Sequence, residues 1–427
     1  MAAKDPSLTP QRSEPSSDGV GPGPSGFWIV AFAFLVVMSF ATLPSPLYGI
    51  YKIRDHLSSL TITIIYAIFA AGTIAVLLAE NRIAARIGRR GAMIGAVLVM
   101  MLAAGILAVW HGLPVLLVGR LLTGVAAGLA AGTAITYLIE LRLRSQPGSS
   151  IVWPRTVGTS ISVGALGVGP LIAGCLAQWA SQPLTLSYLV ILGLGAVALV
   201  GLWFVPETGT PTKRVPATKG PKRHSARLPV PAAAGTLAAF SANGLFAGLA
   251  GLILAITLGR TSHALAGATL FLVFSCGVIS QLATPKLAAS RVLALGTTLM
   301  LVGLVFLVTS VRLSTPSLPL FLLSGALIGG GVGAVFKGTT GIVLEAAAPE
   351  DRLTLTSRLL VVLYLGLSIP VVGVGIALDQ GASIPNTVLG FAILVALGVS
   401  ASGWVLLGRH RTTSDSLSPE PKASPPN

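Results

Sequence analysis

The stretch that decides the fold is Leu113–Glu140, LPVLLVGRLLTGVAAGLAAGTAITYLIE. It is apolar enough to cross a bilayer, yet it carries one arginine, Arg120, about two turns in. Gly124, Gly128 and Gly132 follow four apart, so they share one face and let another helix backbone come close. The same frame recurs in Leu318–Glu345, LPLFLLSGALIGGGVGAVFKGTTGIVLE. Shifted by 205 positions, Leu113-Pro114 meets Leu318-Pro319, Gly124 meets Gly329, Gly128 meets Gly333 and Glu140 meets Glu345. The chain reads as two copies of one membrane unit.

Composition supports that reading. Of 427 residues, 53% are hydrophobic and only 10% charged, with 50 glycines, which a water-soluble domain of this length would not show. Runs long enough to span a bilayer fall near Gly26–Tyr48, Ile62–Glu80, Gly91–Val109, Leu113–Glu140, Val157–Trp179 and Leu186–Val205. A second set falls near Val230–Leu258, Ala264–Gln281, Val292–Val311, Leu318–Glu345, Leu359–Leu378 and Thr387–Leu407. The expected organisation is a disordered tail (1–25), a six-helix bundle (26–205), a basic linker (206–228), a second six-helix bundle (229–407) and a disordered tail (408–427).

The formal net charge is +15, but its placement argues against nucleic acid. Arg82, Arg86, Arg89, Arg90, Arg142, Arg144, Arg155 and the linker's Lys213, Arg214, Lys219, Lys222 and Arg223 fall on one side of the spans. The other side holds Lys52, Arg54, Arg260 and Arg312. That asymmetry follows the positive-inside rule and puts both termini in the cytoplasm. The basic loops are expected to lie on anionic headgroups. Cys175 and Cys276 fall in spans of different halves and read as small hydrophobes. The first 25 residues carry Asp5, Glu14 and Asp18 with several Pro and Gly, which is not a signal peptide.

Three punctuated stretches carry further expectations. In TLPSPLYGIYKIRD, Pro44 and Pro46 loosen the end of the first span, and Tyr48 and Tyr51 suit the membrane interface. NRIAARIGRRGAM is a tight basic loop that keeps the second and third spans adjacent and antiparallel. In GALGVGPLIAG of the fifth span, Gly164, Gly169 and Gly174 thin the helix, and Pro170 predicts a bend.

From about Gly26 to Leu407 these features resemble the major facilitator superfamily. Arg86, Gly88, Arg89 and Arg90 match the signature loop after the second helix, although Ala85 stands where an acid is expected and Asn81 where a Gly is. Gly119, Arg120 and Gly124 are similar to the fourth-helix motif, and Gly169-Pro170 with Gly174 resembles the fifth-helix motif of exporters. The resemblance implies an all-α integral membrane fold: twelve transmembrane helices in two six-helix bundles related by a pseudo-two-fold axis. It also implies alternating access and, most closely, the drug:proton antiporter branch. The expected location is a bacterial cytoplasmic membrane, and the expected state a monomer.

Chemistry is sparse. An ionisable group inside hydrocarbon costs at least ~2.5 kcal/mol on insertion scales, so it needs a reason. Arg120 is the one deep cation: either it lines a cavity, orienting substrate or tuning a proton site, or it bonds the carbonyls of a neighbouring helix. Lys337, near the inner end of the tenth span, either snorkels or meets substrate. Ser39, Thr42, Thr123, Ser241 and Asn243, with Phe240 and Phe246, supply the rest of an expected cavity, suited to a neutral or amphipathic small molecule. The five histidines lack ligand or catalytic spacing, so no enzyme, metal or cofactor is expected. The leading expectation is a proton-coupled exporter. An uptake permease or uniporter of the same fold is the alternative, and a non-transporting membrane sensor stands third. No Asp or Glu lies deep in any span, so coupling falls to Glu140 or Asp55, or the solute gradient itself drives transport. The resemblance further implies a charge cluster clasping the cytoplasmic side. Here Glu140 would pair with Arg89 or Arg90, and Glu345 with Arg291 or Lys286.

Overall fold

The computed structural model describes residues 24–208 and 227–415, with backbone alone at 24, 80–85, 353 and 409–415. The expected tails and most of the basic linker, including Lys213, Arg214, Lys219, Lys222 and Arg223, lie outside the described residues, as does the Ala85 side chain. Among the described residues twelve helices are long and apolar enough to cross a membrane. They are α1 (Ser25–Arg54), α2 (Ser59–Ala79), α3 (Arg86–Val109), α4 (Leu113–Ser145), α5 (Val152–Trp179) and α6 (Pro183–Trp203) in the first half. The second half holds α7 (Val230–Ile256), α8 (His263–Ala283), α9 (Ala289–Arg312), α10 (Leu318–Glu345), α11 (Thr354–Asp379) and α12 (Ile384–Gly408).

Proline and glycine shape these helices. Pro46 has no N–H to offer the carbonyl of Thr42, so α1 opens after Thr42. It passes through a 3-10 turn at Ser45–Leu47 and resumes at Tyr48–Arg54. This break carries Tyr48 and Tyr51 inward, where they are 4% and 3% exposed, rather than to the membrane interface that the sequence suggests. Pro170 stays within a continuous α5. The fourth helix outruns its predicted end at Glu140 and continues to Ser145, so Glu140 sits within its last turns.

The repeat seen in the sequence is realised in packing. Gly124 of α4 meets the backbone of Phe69 and Thr73 on α2, and the Thr73 hydroxyl donates to the Gly124 carbonyl at 3.1 Å. Gly329 of α10 meets the backbone of Val273 on α8 in the same way. A Cβ at either position would strike main chain, which cannot move aside. Each glycine helix thus docks on the second helix of its own half.

The two halves meet along two seams. On one, Gly174 of α5 backs onto Gly267 of α8, and Gly167 onto Phe271. On the other, Thr63 of α2 abuts Gly375 of α11, and the rings of Phe69 and Tyr364 meet edge-on at 5.8 Å. Gly169 packs on the Ser39 carbonyl of α1, while Gly164 reaches Val278 of α8. These contacts run from the arginine-poor face, which carries Lys52, Arg54, Arg260 and Arg312, toward the middle of the bundle.

Candidate functional site

Arg120 is 1% exposed. Its Nη1 donates to the Ala41 carbonyl at 2.6 Å, with longer bonds from Nε to Ile65 O (3.4 Å) and Nη2 to Tyr66 O (3.5 Å). The guanidinium carbon stands 5.0 Å from the centre of the Phe69 ring. Ala41 belongs to the last turn before the break in α1, where carbonyls run out of N–H partners four residues on. Arg120 supplies the missing donor. These bonds are of the helix-to-helix kind, one of the two alternatives open from sequence: the buried guanidinium is engaged with carbonyls of α1 and α2.

Lys337 does the same in the other half. Its Nζ donates to Gln281 O at 2.7 Å, Thr284 O at 2.8 Å and Thr284 Oγ1 at 3.0 Å. These groups lie at the C-terminal end of α8, whose free carbonyls attract a cation. Both cations therefore cap helix C-termini, each from the glycine helix of its half.

The uncharged polar residues divide into two groups. Thr42 donates to Leu166 O of α5 at 2.6 Å, while Thr123 and Ser241 turn back to Gly119 O and Leu237 O of their own helices, each at 2.7 Å. Their hydroxyls are thus satisfied without a ligand. Ser39 Oγ and Asn243 Oδ1 remain buried without a partner, and so do Tyr48 OH and, unmarked by any sequence pattern, Ser45 Oγ and Ser368 Oγ. Asn243 lies about one turn from Phe240 and from Phe246, whose rings meet Phe336 and Phe321 of α10 at 5.3 and 5.4 Å. The Tyr51 and Tyr188 hydroxyls pair at 2.8 Å.

The gate residues cluster at the arginine-rich face. The chain kinks at Gly88, the third residue of α3, whose φ of 72° and ψ of 178° are readily adopted only by glycine. Beyond it the N–H groups of Arg89 and Arg90 open a helix and lack helical partners. Glu207, just past α6, caps them: Oε1 accepts from Arg89 N at 2.9 Å and Oε2 from Arg90 N at 3.0 Å. Arg144 holds that segment by donating to the carbonyls of Glu207 and Thr208, each at 2.8 Å, and the Tyr137 hydroxyl donates to Pro206 O at 2.8 Å. Glu140 Oε1 lies 3.6 Å from Arg89 Nε, and Glu140 Oε2 accepts from the Thr208 hydroxyl. The Glu140–Arg89 neighbourhood is present, and these bonds tie α3 and α4 of the first half to the segment that follows α6. Sequence reasoning misses Glu207; the available signal is Pro206-Glu207-Thr208 directly after a helix. Arg86 is exposed, Arg291 is exposed near the start of α9, and Glu345 ends α10.

Asp55 accepts from Arg54 Nε at 2.7 Å and Nη2 at 2.8 Å. That hydrogen-bonded guanidinium holds its carboxyl below the ordinary aspartate range. A depressed carboxylate keeps its charge at neutral and mildly acid pH, and the pair is lost only as pH falls through the lowered value. Asp55 is therefore not poised to exchange protons near neutrality. Among the described residues no cluster of His, Cys, Asp or Glu could hold a metal ion.

Twelve apolar helices in two six-helix halves, with polar groups buried inside, are the layout of a membrane transporter. The Major Facilitator Superfamily model matches residues 30–292, more than half of the chain, and the chain belongs to that family. No curated protein matches it in sequence. Among solved structures it is similar to the nucleoside transporter NupG, determined as a mutant, with a TM-score of 0.67 at 10% identity. That likeness covers 90% of this chain and 99% of the other, and at this identity it is one of fold.

Proposed function

We propose that this chain exports neutral or amphipathic organic molecules by alternating access, working as a monomer in a bacterial cytoplasmic membrane. The observation that carries the solute class is the set of buried, unpartnered oxygens Ser39 Oγ, Asn243 Oδ1 and Ser368 Oγ on α1, α7 and α11. Together with the Phe240–Phe336 and Phe246–Phe321 pairs, they offer hydrogen bonds and ring contacts but no fixed charge. Such an interior suits an uncharged solute with a hydrogen-bonding edge and an apolar body. A nucleoside, the kind of solute that NupG transports, is one molecule of that description. The arginine-rich face is the cytoplasmic one, its basic loops on anionic headgroups. Export rests on the resemblance of Gly169-Pro170 and Gly174 to the exporter motif.

The energy source has two readings. Proton coupling, which the exporter resemblance implies, would run through Glu140, already engaged with Arg89 and Thr208. Transport down the solute's own gradient is favoured by a specific observation: among the described residues no carboxylate sits in the middle of a span. Flux into everted vesicles of neutral dyes, uncharged antibiotics and nucleosides, with and without an imposed pH gradient, tests both. Export predicts entry of at least one solute above that of vesicles lacking the protein, and proton coupling predicts that the gradient drives it uphill. No flux for any member of the panel would sink the solute class.

A further inference from the structure

At the arginine-poor face, each seam between the halves ends in the same device. On the first, the Asp379 carboxylate at the end of α11 accepts from Ser59 N of α2 at 3.0 Å, with the Ser58 hydroxyl and Leu60 N–H also in reach. On the second, the Gln178 amide oxygen near the end of α5 accepts from His263 N of α8 at 3.1 Å and from the Ser262 hydroxyl at 3.0 Å. In each case a side chain at the C-terminal end of one half's helix closes orphan N–H groups at the N-terminus of the other half's helix. The helices exchange under the pseudo-two-fold, with α2 and α8 as one pair and α5 and α11 as the other. Ser58 and Ser262, 204 positions apart, are both N-caps, accepting from Thr61 N at 3.1 Å and Leu265 N at 3.2 Å.

The two devices differ in charge. Gln178 is neutral, whereas Asp379 presents a carboxylate to the positive end of a helix, the stronger arrangement. The charged neighbour of Asp379 is Lys52 of α1, whose Nζ donates to Ser59 Oγ at 2.8 Å and so closes the same turn. Beside Leu378, α7 and α12 contribute Leu245, Leu249, Leu252, Ile253, Ile384 and Val388, with Thr387 the polar group and nothing titratable.

We infer that the arginine-poor face is held shut by this pair of inter-half helix caps, and that Asp379, the charged member, sets how readily the face opens. The inference rests on the alternating-access reading, but its test needs no solute, so it can fail or stand apart from the transport assay. Opening this face must break both caps, because each joins one half to the other. Thr63, about one turn inside the Asp379 cap and fully buried against Gly375, reports the first seam. Phe274 of α8, 2% exposed and set against Gly167 of α5, reports the second.

The experiment introduces Thr63→Cys or Phe274→Cys, singly, into a Cys175→Ser, Cys276→Ser background. Labelling by a membrane-impermeant maleimide is then followed from the arginine-poor side. Asp379→Asn, whose amide oxygen can still accept but carries no charge, should raise the labelling rate at both reporters by about twofold to fivefold, the span that losing a charge at a helix N-terminus implies. Asp379→Glu, which keeps the charge, should stay near the parent rate. Parent-like labelling in Asp379→Asn overturns the inference, and so does acceleration at Thr63 alone, which reports only fraying of α2. Equal acceleration by Asn and Glu removes the role of charge. Unchanged thermal unfolding of each variant in detergent shows that the protein labelled is folded.

Discussion

At the scale of single residues, an intramembrane arginine raises the question of what its charge is for. Here the answer is local. A buried carbonyl without a donor costs about 1–3 kcal/mol, and the break in α1 exposes such a carbonyl at Ala41. Arg120 satisfies it from α4 and also lays its charge near the Phe69 ring, so one side chain ties α4 to α1 and α2. Arg120→Ala is therefore expected to destabilise the folded protein by about 1–3 kcal/mol. Arg120→Lys should fall between, since one ammonium reaches a carbonyl but lacks the fork. Thermal unfolding in detergent measures both. A wild-type midpoint for Arg120→Ala would show that the carbonyl is satisfied some other way and would return the arginine to the cavity reading.

At the scale of helices, glycine position decides how closely two helices approach. Gly124 and Gly373 are both glycines in membrane helices, yet they differ in kind. A Cβ at Gly124 meets the Phe69 carbonyl, whereas a Cβ at Gly373 meets nothing within 4 Å. Gly124→Ala must push α4 away from α2 and should sharply reduce the yield of folded protein. Gly373→Ala should be neutral or stabilising by up to ~1 kcal/mol, because alanine is the better helix former. Yield and unfolding midpoint compare the two directly. Similar behaviour of both variants would mean that the α2–α4 interface tolerates separation.

At the scale of the whole molecule, alternating access asks each half to move as a body. Glu207 serves that end in the first half. It links the entrance of α3 to the exit of α6, while Arg144 and Glu140 join α4 to the same segment. Removing its carboxylate leaves the Arg89 and Arg90 N–H groups uncapped, at a cost of about 0.5–2 kcal/mol. Glu207→Ala should therefore speed amide exchange at the start of α3 while leaving the α5–α8 seam as protected as before. Hydrogen–deuterium exchange reads out both regions. Exchange that rises equally at the seam would make Glu207 part of the contact between halves and not a brace within one.

Apolar length and helical spacing are local properties, so the twelve spans, their division into six and six, and the glycine faces of α4 and α10 are legible in the chain before it folds. The neighbourhood of Arg89 and Glu140 is legible too, through the resemblance to a known loop. What Arg120 touches is not, since the Ala41 carbonyl is 79 residues away and becomes needy only once Pro46 breaks α1. Nor does the order of residues reveal that Glu207 caps a helix starting 118 residues earlier, or that Asp379 caps Ser59 across 320. Hydrogen bonds of that range follow from which helix ends meet in space. The run of apolar residues fixes how many helices there are; the packing of the two halves decides which polar groups find each other.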